Sequence, residues 1–162
     1  MKPALILSVL AAATLAACAH SHNRSSSAQP DHSAAEQPVQ AVASKYGFDE
    51  TVARIEKAVK AKGMTVFTVI DHQAAAKANG LTMQPAKVIV FGTPKAGTPL
   101  MVKDPYFALQ LPLRVLVTEN NGKTEAVFND TRALIRGSRI AYGDVENTLA
   151  NAEKLIRATV SQ

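Results

Sequence analysis

Residues 92–98 are the stretch whose residue types and spacing point most directly to ligand chemistry. The stretch contains Gly92, Thr93, Lys95, Gly97 and Thr98, and the pair Thr98-Pro99 predicts a helix start directly after it. Backbone amides at a helix N-terminus hold anions, and Lys95 would add a full positive charge. The spacing is not that of a Walker motif. Tight turns and close packing account for the glycines equally well, so the segment is a candidate anion or ligand site with a structural role as the alternative.

His72 is the second group with possible chemistry, because it is the one histidine of the predicted domain. Met83 and Met101 could join it as soft ligands for copper(I) or as axial groups for haem. A histidine at a helix start and methionines in a core are the common alternative. The sequence therefore leaves a metal or redox-related site centred on His72 as the second interpretation.

Catalytic groups are poorly supplied. The domain's single histidine has no Gly-x-Ser-x-Gly partner motif, and Asp71, Asp104 and Asp130 each precede a predicted helical turn. Capping accounts for these three carboxylates. We therefore favour a non-enzymatic protein over an enzyme, and the sequence identifies no cofactor.

Cys18 is the only cysteine of the chain, so an intramolecular disulfide is excluded. Lys2 and the apolar residues 5–15 form a leader that is shorter than a membrane-spanning helix. The sequence Leu-Ala-Ala-Cys at residues 15–18 resembles the bacterial lipobox, which implies cleavage before Cys18 and its acylation. An ordinary signal peptide with an incidental cysteine is the alternative. Ala19 favours sorting to the outer membrane.

The chain therefore divides into a lipoprotein signal peptide at 1–17, a lipidated cysteine and flexible tether at 18–40, and one domain at 41–162. The tether is rich in Ser, Ala, Gln and Pro and has no apolar periodicity. These features predict a protein anchored by lipid to the periplasmic face of the cell envelope.

The charge and the aromatic content of the chain indicate which class of partner it could bind. The net charge is +5, but the basic residues are scattered, and aromatic residues make up only 5% of the chain. Nucleic-acid binding is therefore not expected.

The apolar periodicities and turn signals predict seven main elements. These are strand 39–44, a helix between Asp49 and Gly63, strands 64–70, 87–91, 113–119 and 123–129, and a terminal helix with Val145, Leu149, Ala152, Ile156 and Val160 on one face. Short helical turns after Asp71, Thr98, Asp104 and Asp130 and a hairpin turn at Asn121-Gly122 complete the pattern.

This order predicts an α+β domain: strand, helix, four strands, helix, with a largely antiparallel sheet and both long helices on one face. The opposite face would then need a cover. We expect Phe67, Ile89, Phe91, Leu116 and Val127 to supply apolar surface there, against a second copy of the chain or a ligand.

Residues 91–101 (FGTPKAGTPLM), the following ALQLPLRVLV and a hairpin ending in FND together resemble the domain-of-unknown-function 302 family. The resemblance extends from Phe48 to Leu134. It implies a TATA-binding-protein-like α+β fold and a homodimer, and it implies no reaction. The family often has Arg-His after the last strand, where this chain has Arg136-Gly137-Ser138. The predicted lipid anchor, the apolar sheet face and the lack of catalytic groups together lead us to expect an envelope lipoprotein that binds a small ligand or an envelope protein.

Overall fold

The computed structural model describes residues 38–162. These residues belong to one compact unit, His32–Gln162. The predicted signal peptide, Cys18 and most of the predicted tether lie outside the described residues.

The described region is built on one antiparallel sheet of five strands in the order β1-β5-β4-β3-β2. The strands are β1 (Val39–Ala43), β2 (Thr65–Asp71), β3 (Ala86–Gly92), β4 (Leu113–Asn120) and β5 (Lys123–Asn129). The β4–β5 hairpin turns at Asn121 and Gly122, whose φ angles are 50° and 75°. Two successive positive φ angles define the type I′ turn that this Asn-Gly pair predicted.

Two long helices pack on one face of the sheet. They are α1 (Phe48–Ala61) and α6 (Leu149–Ser161), and four shorter helices lie between strands or before α6: α2 (His72–Ala78), α3 (Pro94–Lys103), α4 (Thr131–Leu134) and α5 (Tyr142–Val145). A 3-10 helix, Pro105–Gln110, follows α3. The predicted α+β class and the order strand, helix, four strands, helix are confirmed.

Aspartate caps begin three of the short helices, as the sequence predicted. The carboxylate of Asp71 accepts the amide of Ala74 at 2.8 Å, and that of Asp104 accepts the amide of Tyr106 at 3.1 Å. Asp130 accepts the amides of Arg132 and Ala133. The prediction of Asp49 as the cap of α1 is wrong, because Gly47 occupies that position. Asp49 lies in the first turn, where a negative charge still favours the helix.

The main cluster is the hydrophobic core between the long helices and the sheet. Its centre is formed by Ile55 and Val59 of α1, Val115 and Val117 of β4, and Ile156 of α6, each at most 1% exposed. The remaining buried members are Val52, Ile89, Phe91, Ala126, Phe128, Ala152 and Val160. Every second side chain along each strand thus faces the helices.

The second cluster is a smaller core formed by the short helices and the segments around them. It contains Leu100, Phe107, Leu134, Ile140, Val145 and Leu149. Asp104, only 4% exposed, holds this cluster together. One of its carboxylate oxygens accepts the amide of Arg139 at 3.0 Å, while the other caps the 3-10 helix.

Two sequence-based predictions about helices are corrected. Helix α3 begins at Pro94 after Thr93, and the pair Thr98-Pro99 lies inside it rather than at its start. The terminal helix begins at Leu149, because Val145 belongs to the separate helix α5. Val145 and Leu149 are nevertheless both buried, as the periodicity predicted.

The predicted apolar set for the uncovered sheet face is partly wrong. Ile89 and Phe91 face the helices and are 0% and 2% exposed. Phe67 lies at a β-bulge, where the pairing of β2 with β3 shifts register between Val66 and Thr68. Such a bulge changes the direction of a side chain, so Phe67 does not follow the regular alternation of the strand. Leu116 and Val127 do lie on the face that the long helices leave uncovered, because they alternate with the buried Val115, Val117, Ala126 and Phe128.

One apolar row crosses that uncovered face from edge to edge. The register places Ala41 beside Val127, Val127 beside Leu116, Leu116 beside Val88, and Val88 beside Ile70. Five strands spaced about 4.8 Å apart make the row roughly 19 Å wide. We call these five residues the apolar row.

The buried carboxylate of Asp104, which caps the 3-10 helix, makes the stability of the fold depend on pH. The amide of Arg139, followed by the amide of Tyr106, the charge of Arg139 and the amide of Phe107, holds the pKa of Asp104 below its usual value, although burial acts to raise it. Lys103 and the amide of Ala141 lower the pKa of Asp144 in the same way. A lowered pKa means that both groups stabilise the fold above their unfolded-state pKa and lose this effect as pH falls through the folded-state pKa.

We expect the urea midpoint of the wild type to fall between neutral pH and about pH 3, and to fall less in Asp104→Asn, which is already weaker at neutral pH. Urea unfolding at both pH values, with the exposed Glu146→Gln as a control, measures this. An equal loss of midpoint in Asp104→Asn and the wild type would contradict the role of Asp104.

Candidate functional site

A cleft of about 690 Å³ opens at the end of the sheet where β3 finishes and β2 begins. Pockets that hold small molecules generally measure about 300–1,000 Å³, so this cleft has room for a ligand. Its floor includes Phe67 and Gly92 from the sheet, and its walls come from α3 and the first two turns of α6.

The cleft lies between the two hydrophobic clusters and takes side chains from both. Ala152, Met64 and Leu155 belong to the main cluster or pack against it. Leu149 and Leu111 belong to the second cluster or pack against it. Because the clusters do not close against each other here, apolar side chains from both remain accessible. The surface between them is therefore suited to an apolar ligand.

Helix α3 forms one wall because of how its first turn is built. Pro94 occupies the first helical position, where its missing N–H costs nothing. Thr93 is extended, and its carbonyl accepts the amide of Gly97 at 3.0 Å. A Cβ on Gly97 would lie 3.3 Å from Cδ1 of Leu111. The absence of a side chain at Gly97 thus lets α3 approach Leu111 closely and sets the position of the wall.

Polar groups lie among the apolar lining in small number. Thr93, Thr98, Asn147, Thr148 and Asn151 line the cleft and supply hydroxyl and amide groups.

The charged lining residues are both lysines. Lys62 ends α1 and Lys154 lies in α6, and both are exposed. Within residues 38–162, no carboxylate lines the cleft and neither lysine takes part in an ion pair. The rim is therefore positive while the interior is apolar.

The structure brings most of the predicted ligand segment to this cleft. Gly92, Thr93, Gly97 and Thr98 all line it, although residues 94–98 form the start of α3 rather than a loop. Lys95 is exposed and is not among the lining residues. Binding of an anion or another ligand by these residues stays a prediction.

The three residues of the predicted metal site are not brought together. Met101 lines the cleft near the Thr65–Gly92 end of β2 and β3, whereas His72 follows Asp71 at the opposite end. Six residues of extended strand separate these ends by about 20 Å. Met83 lies nearer His72, because its carbonyl accepts a hydrogen bond from Gln73. Within residues 38–162 no three His, Cys, Asp or Glu side chains are grouped for a metal ion.

Sequence reasoning did not identify the other wall of the cleft. In the sequence, nothing distinguishes Asn151, Lys154 and Leu155 from other positions of the amphipathic helix α6. Lys62 likewise stands out only as the residue that follows α1. Their contribution depends on α1 and α6 running antiparallel, with the amide of Lys45 bonded to the carbonyl of Val160. That arrangement puts the end of α1 beside the start of α6.

Comparison with known proteins gives a family and a fold. The family described as "Domain of unknown function DUF302" matches residues 40–160. The crystal structure of an uncharacterized conserved DUF302 protein from Bacillus stearothermophilus superposes with a TM-score of 0.65. It is 19% identical, and the superposition covers 76% of this chain and 96% of that one, so the likeness shows the fold alone.

Curated relatives match a shorter stretch. Proteins named "Fluoride-specific ion channel FluC 1" from Brucella suis and Brucella abortus are 41% identical over 90 residues, which is 55% of this chain. The match spans 35% and 33% of those relatives, about a third of their length. Within residues 38–162, no helix has both the length and the apolar character needed to cross a bilayer.

Proposed function

The chain belongs to the DUF302 family, and we propose that this member is a lipid-anchored protein of the cell envelope whose domain binds a small apolar ligand. The observation that carries the proposal is the 690 Å³ cleft between the two hydrophobic clusters. Fluoride transport is not part of the proposal, because the match to the named channels spans about a third of their length.

The chemistry of the lining favours binding over catalysis. The lining combines leucines, methionines and Phe67 with a few hydroxyl and amide groups, which is the composition of ligand pockets in general. Among residues 38–162, no carboxylate or histidine lines the cleft as an acid or base. We therefore propose a carrier or sensor that holds its ligand without reaction.

Blocking the cleft should abolish ligand binding. Ala96 lines the cleft from α3 and is half-buried, so Ala96→Trp fills the space without entering either core. We expect the uncharged dye Nile red to become fluorescent with residues 32–162 and to lose at least about tenfold in affinity in Ala96→Trp. This region forms a compact unit with its own cores.

The matched control is Ala108→Trp, an exposed alanine of the 3-10 helix that does not line the cleft. It should bind Nile red as the wild type does. Equal binding by Ala96→Trp and the wild type would show that the dye binds elsewhere and would overturn the proposal.

We also propose that the apolar row is covered by a second copy of the chain. Val88, Leu116 and Val127 are only half-buried within one chain, and the row continues across all five strands. Such a continuous apolar band is unusual on a free surface. A two-fold interface would bury the same row from both copies.

A charge in the centre of the apolar row should therefore prevent dimer formation. Leu116 lies on the central strand, and Leu116→Glu would place two carboxylates opposite each other in a symmetric interface. Light scattering should give a dimer for the wild type and a monomer for Leu116→Glu. Leu109→Glu, at a site 80% exposed on the 3-10 helix, is the control and should remain a dimer. A monomeric wild type would reject this interface.

A further inference from the structure

We infer that the ligand of the cleft is a long-chain monocarboxylate, with its alkyl chain between the two clusters and its carboxylate at Lys62 and Lys154. This inference rests on the proposed function, because it names the class of ligand for the same cleft. It is carried by the combination of an apolar interior with a rim whose charged lining residues are both positive.

The interior is suited to an alkyl chain rather than to a flat polar molecule. The side chains that reach it include Met64, Met101, Leu111, Leu149 and Leu155. Methionine and leucine adapt to a flexible chain, and methionine in particular fills irregular space. Each methylene moved from water to such a surface is transferred favourably.

The rim supplies what the other end of such a ligand needs. The ammonium groups of Lys62 and Lys154 come from the end of α1 and the first half of α6, which lie beside each other because the helices are antiparallel. Within residues 38–162, lysines 60, 87 and 103 are paired with carboxylates, whereas Lys62 and Lys154 are in no ion pair, as is also true of lysines 45, 57, 77, 95 and 123. Lys62 and Lys154 differ from these five because they line the cleft, to which the described residues contribute no carboxylate.

Neutral donors in the lining add to the site for a carboxylate. Asn147 and Asn151 line the cleft, and Asn151 keeps one amide hydrogen beyond the bond that it donates to the carbonyl of Asn147, whereas the hydroxyl of Thr148 donates to the carbonyl of Val145. Within the described residues, no side chain caps the first amides of α6 and no acidic residue occupies its first turn. A cationic ligand would be repelled by the two lysines. An uncharged ligand would leave the rim without a partner, so a single negative charge on an apolar chain is the best match.

The test compares dodecanoate with the uncharged dodecanol as competitors of Nile red on residues 32–162. Three proteins are compared: the wild type, Lys62→Glu/Lys154→Glu, and the control Lys57→Glu/Lys123→Glu. The control changes net charge by the same amount at exposed lysines that do not line the cleft.

We expect charge reversal at the rim to lower the affinity for dodecanoate by about tenfold or more. The affinities for dodecanol and Nile red should stay within about twofold of the wild-type values. The control should bind all three compounds as the wild type does. Because the lysines are exposed, dodecanoate binding to the wild type should also weaken as salt shortens the Debye length from about 30 Å at 0.01 M to about 8 Å at 0.15 M.

Dodecanoate binding that is unchanged in Lys62→Glu/Lys154→Glu, or equally weakened in the control, would overturn the inference. In that case retained Nile red binding, blocked by Ala96→Trp, would leave the apolar cleft and the proposed function standing. If instead Ala96→Trp fails to block Nile red, the proposed function itself is wrong, and the inference falls with it.

Discussion

A chain that lacks Cys18 should no longer be held at the membrane. With residues 1–18 replaced by an ordinary secretory leader that is cleaved before Ala19, we expect the mature protein in the soluble periplasmic fraction, while the native chain sediments with membranes. Each buried methylene of an acyl chain contributes about 0.8 kcal/mol to membrane binding, so several chains make the native anchor durable. Fractionation followed by immunoblotting measures the difference.

Incorporation of labelled palmitate separates acylation from other forms of membrane attachment. The native chain should take up the label, and Cys18→Ser should not, because serine offers no thiol for the diacylglyceryl group. Membrane sedimentation of the version without residues 1–18, or labelling of Cys18→Ser, would contradict anchoring at Cys18.

Replacing Ile55 by alanine should cause a large loss of stability. Ile55 is 0% exposed and lies on α1 between the sheet and α6. Removing its side-chain atoms leaves a cavity, and such changes cost about 2–5 kcal/mol. Chemical unfolding followed by circular dichroism gives the free energy of unfolding of both proteins.

Val102→Ala is the matched control for Ile55→Ala. Val102 is also a branched apolar residue on a helix, but it is 77% exposed. Its replacement should change the free energy of unfolding by less than about 0.5 kcal/mol. Equal effects of the two substitutions would show that α1 does not pack on the sheet as described.

The elements that the sequence predicted well are those decided by local interactions. The Asn121-Gly122 turn needs two positive φ angles, which few other residue pairs tolerate. The caps at Asp71, Asp104 and Asp130 bond to amides two or three residues away. On α1, Glu50 and Arg54 pair at 2.9 Å and Glu56 and Lys60 at 3.2 Å, each four residues apart with the acid first, the order that favours such pairs. Each of these depends on residues that are close in sequence.

The start of α3 was predicted wrongly because the sequence offers the same signal twice. Thr93-Pro94 and Thr98-Pro99 both fit a cap followed by the first helical residue. In the structure the first pair begins the helix, and Leu100 is then buried in the second cluster. Tertiary packing thus decides between two local signals of similar strength.

The assignment of Ile89 and Phe91 to the uncovered face failed for a related reason. Strand β3 has apolar residues on both faces, with Val88 and Val90 alternating with Ile89 and Phe91. When every position of a strand is apolar, the sequence pattern does not show which face of the strand packs against the helices. Only the position of the helices on the sheet shows which set of side chains is buried.

The lining of the cleft includes residues that a local sequence pattern predicted and residues that only the tertiary structure brings there. Residues 92–98 are rich in glycine, threonine and proline, which predicted a ligand segment, and four of the five predicted residues line the cleft. Lys62 and Lys154 are 92 positions apart and carry no motif, so their presence in the lining of one cleft depends on the helix arrangement. A sequence alone could not pair them.

Native mass spectrometry of the domain isolated from bacterial envelopes tests the central claim that the cleft holds a ligand. We expect wild-type protein and Ala108→Trp to carry the same additional mass, and Ala96→Trp, purified in parallel, to lack it. The same additional mass on Ala96→Trp, or bare protein in all three samples, would contradict the claim that this cleft is the binding site.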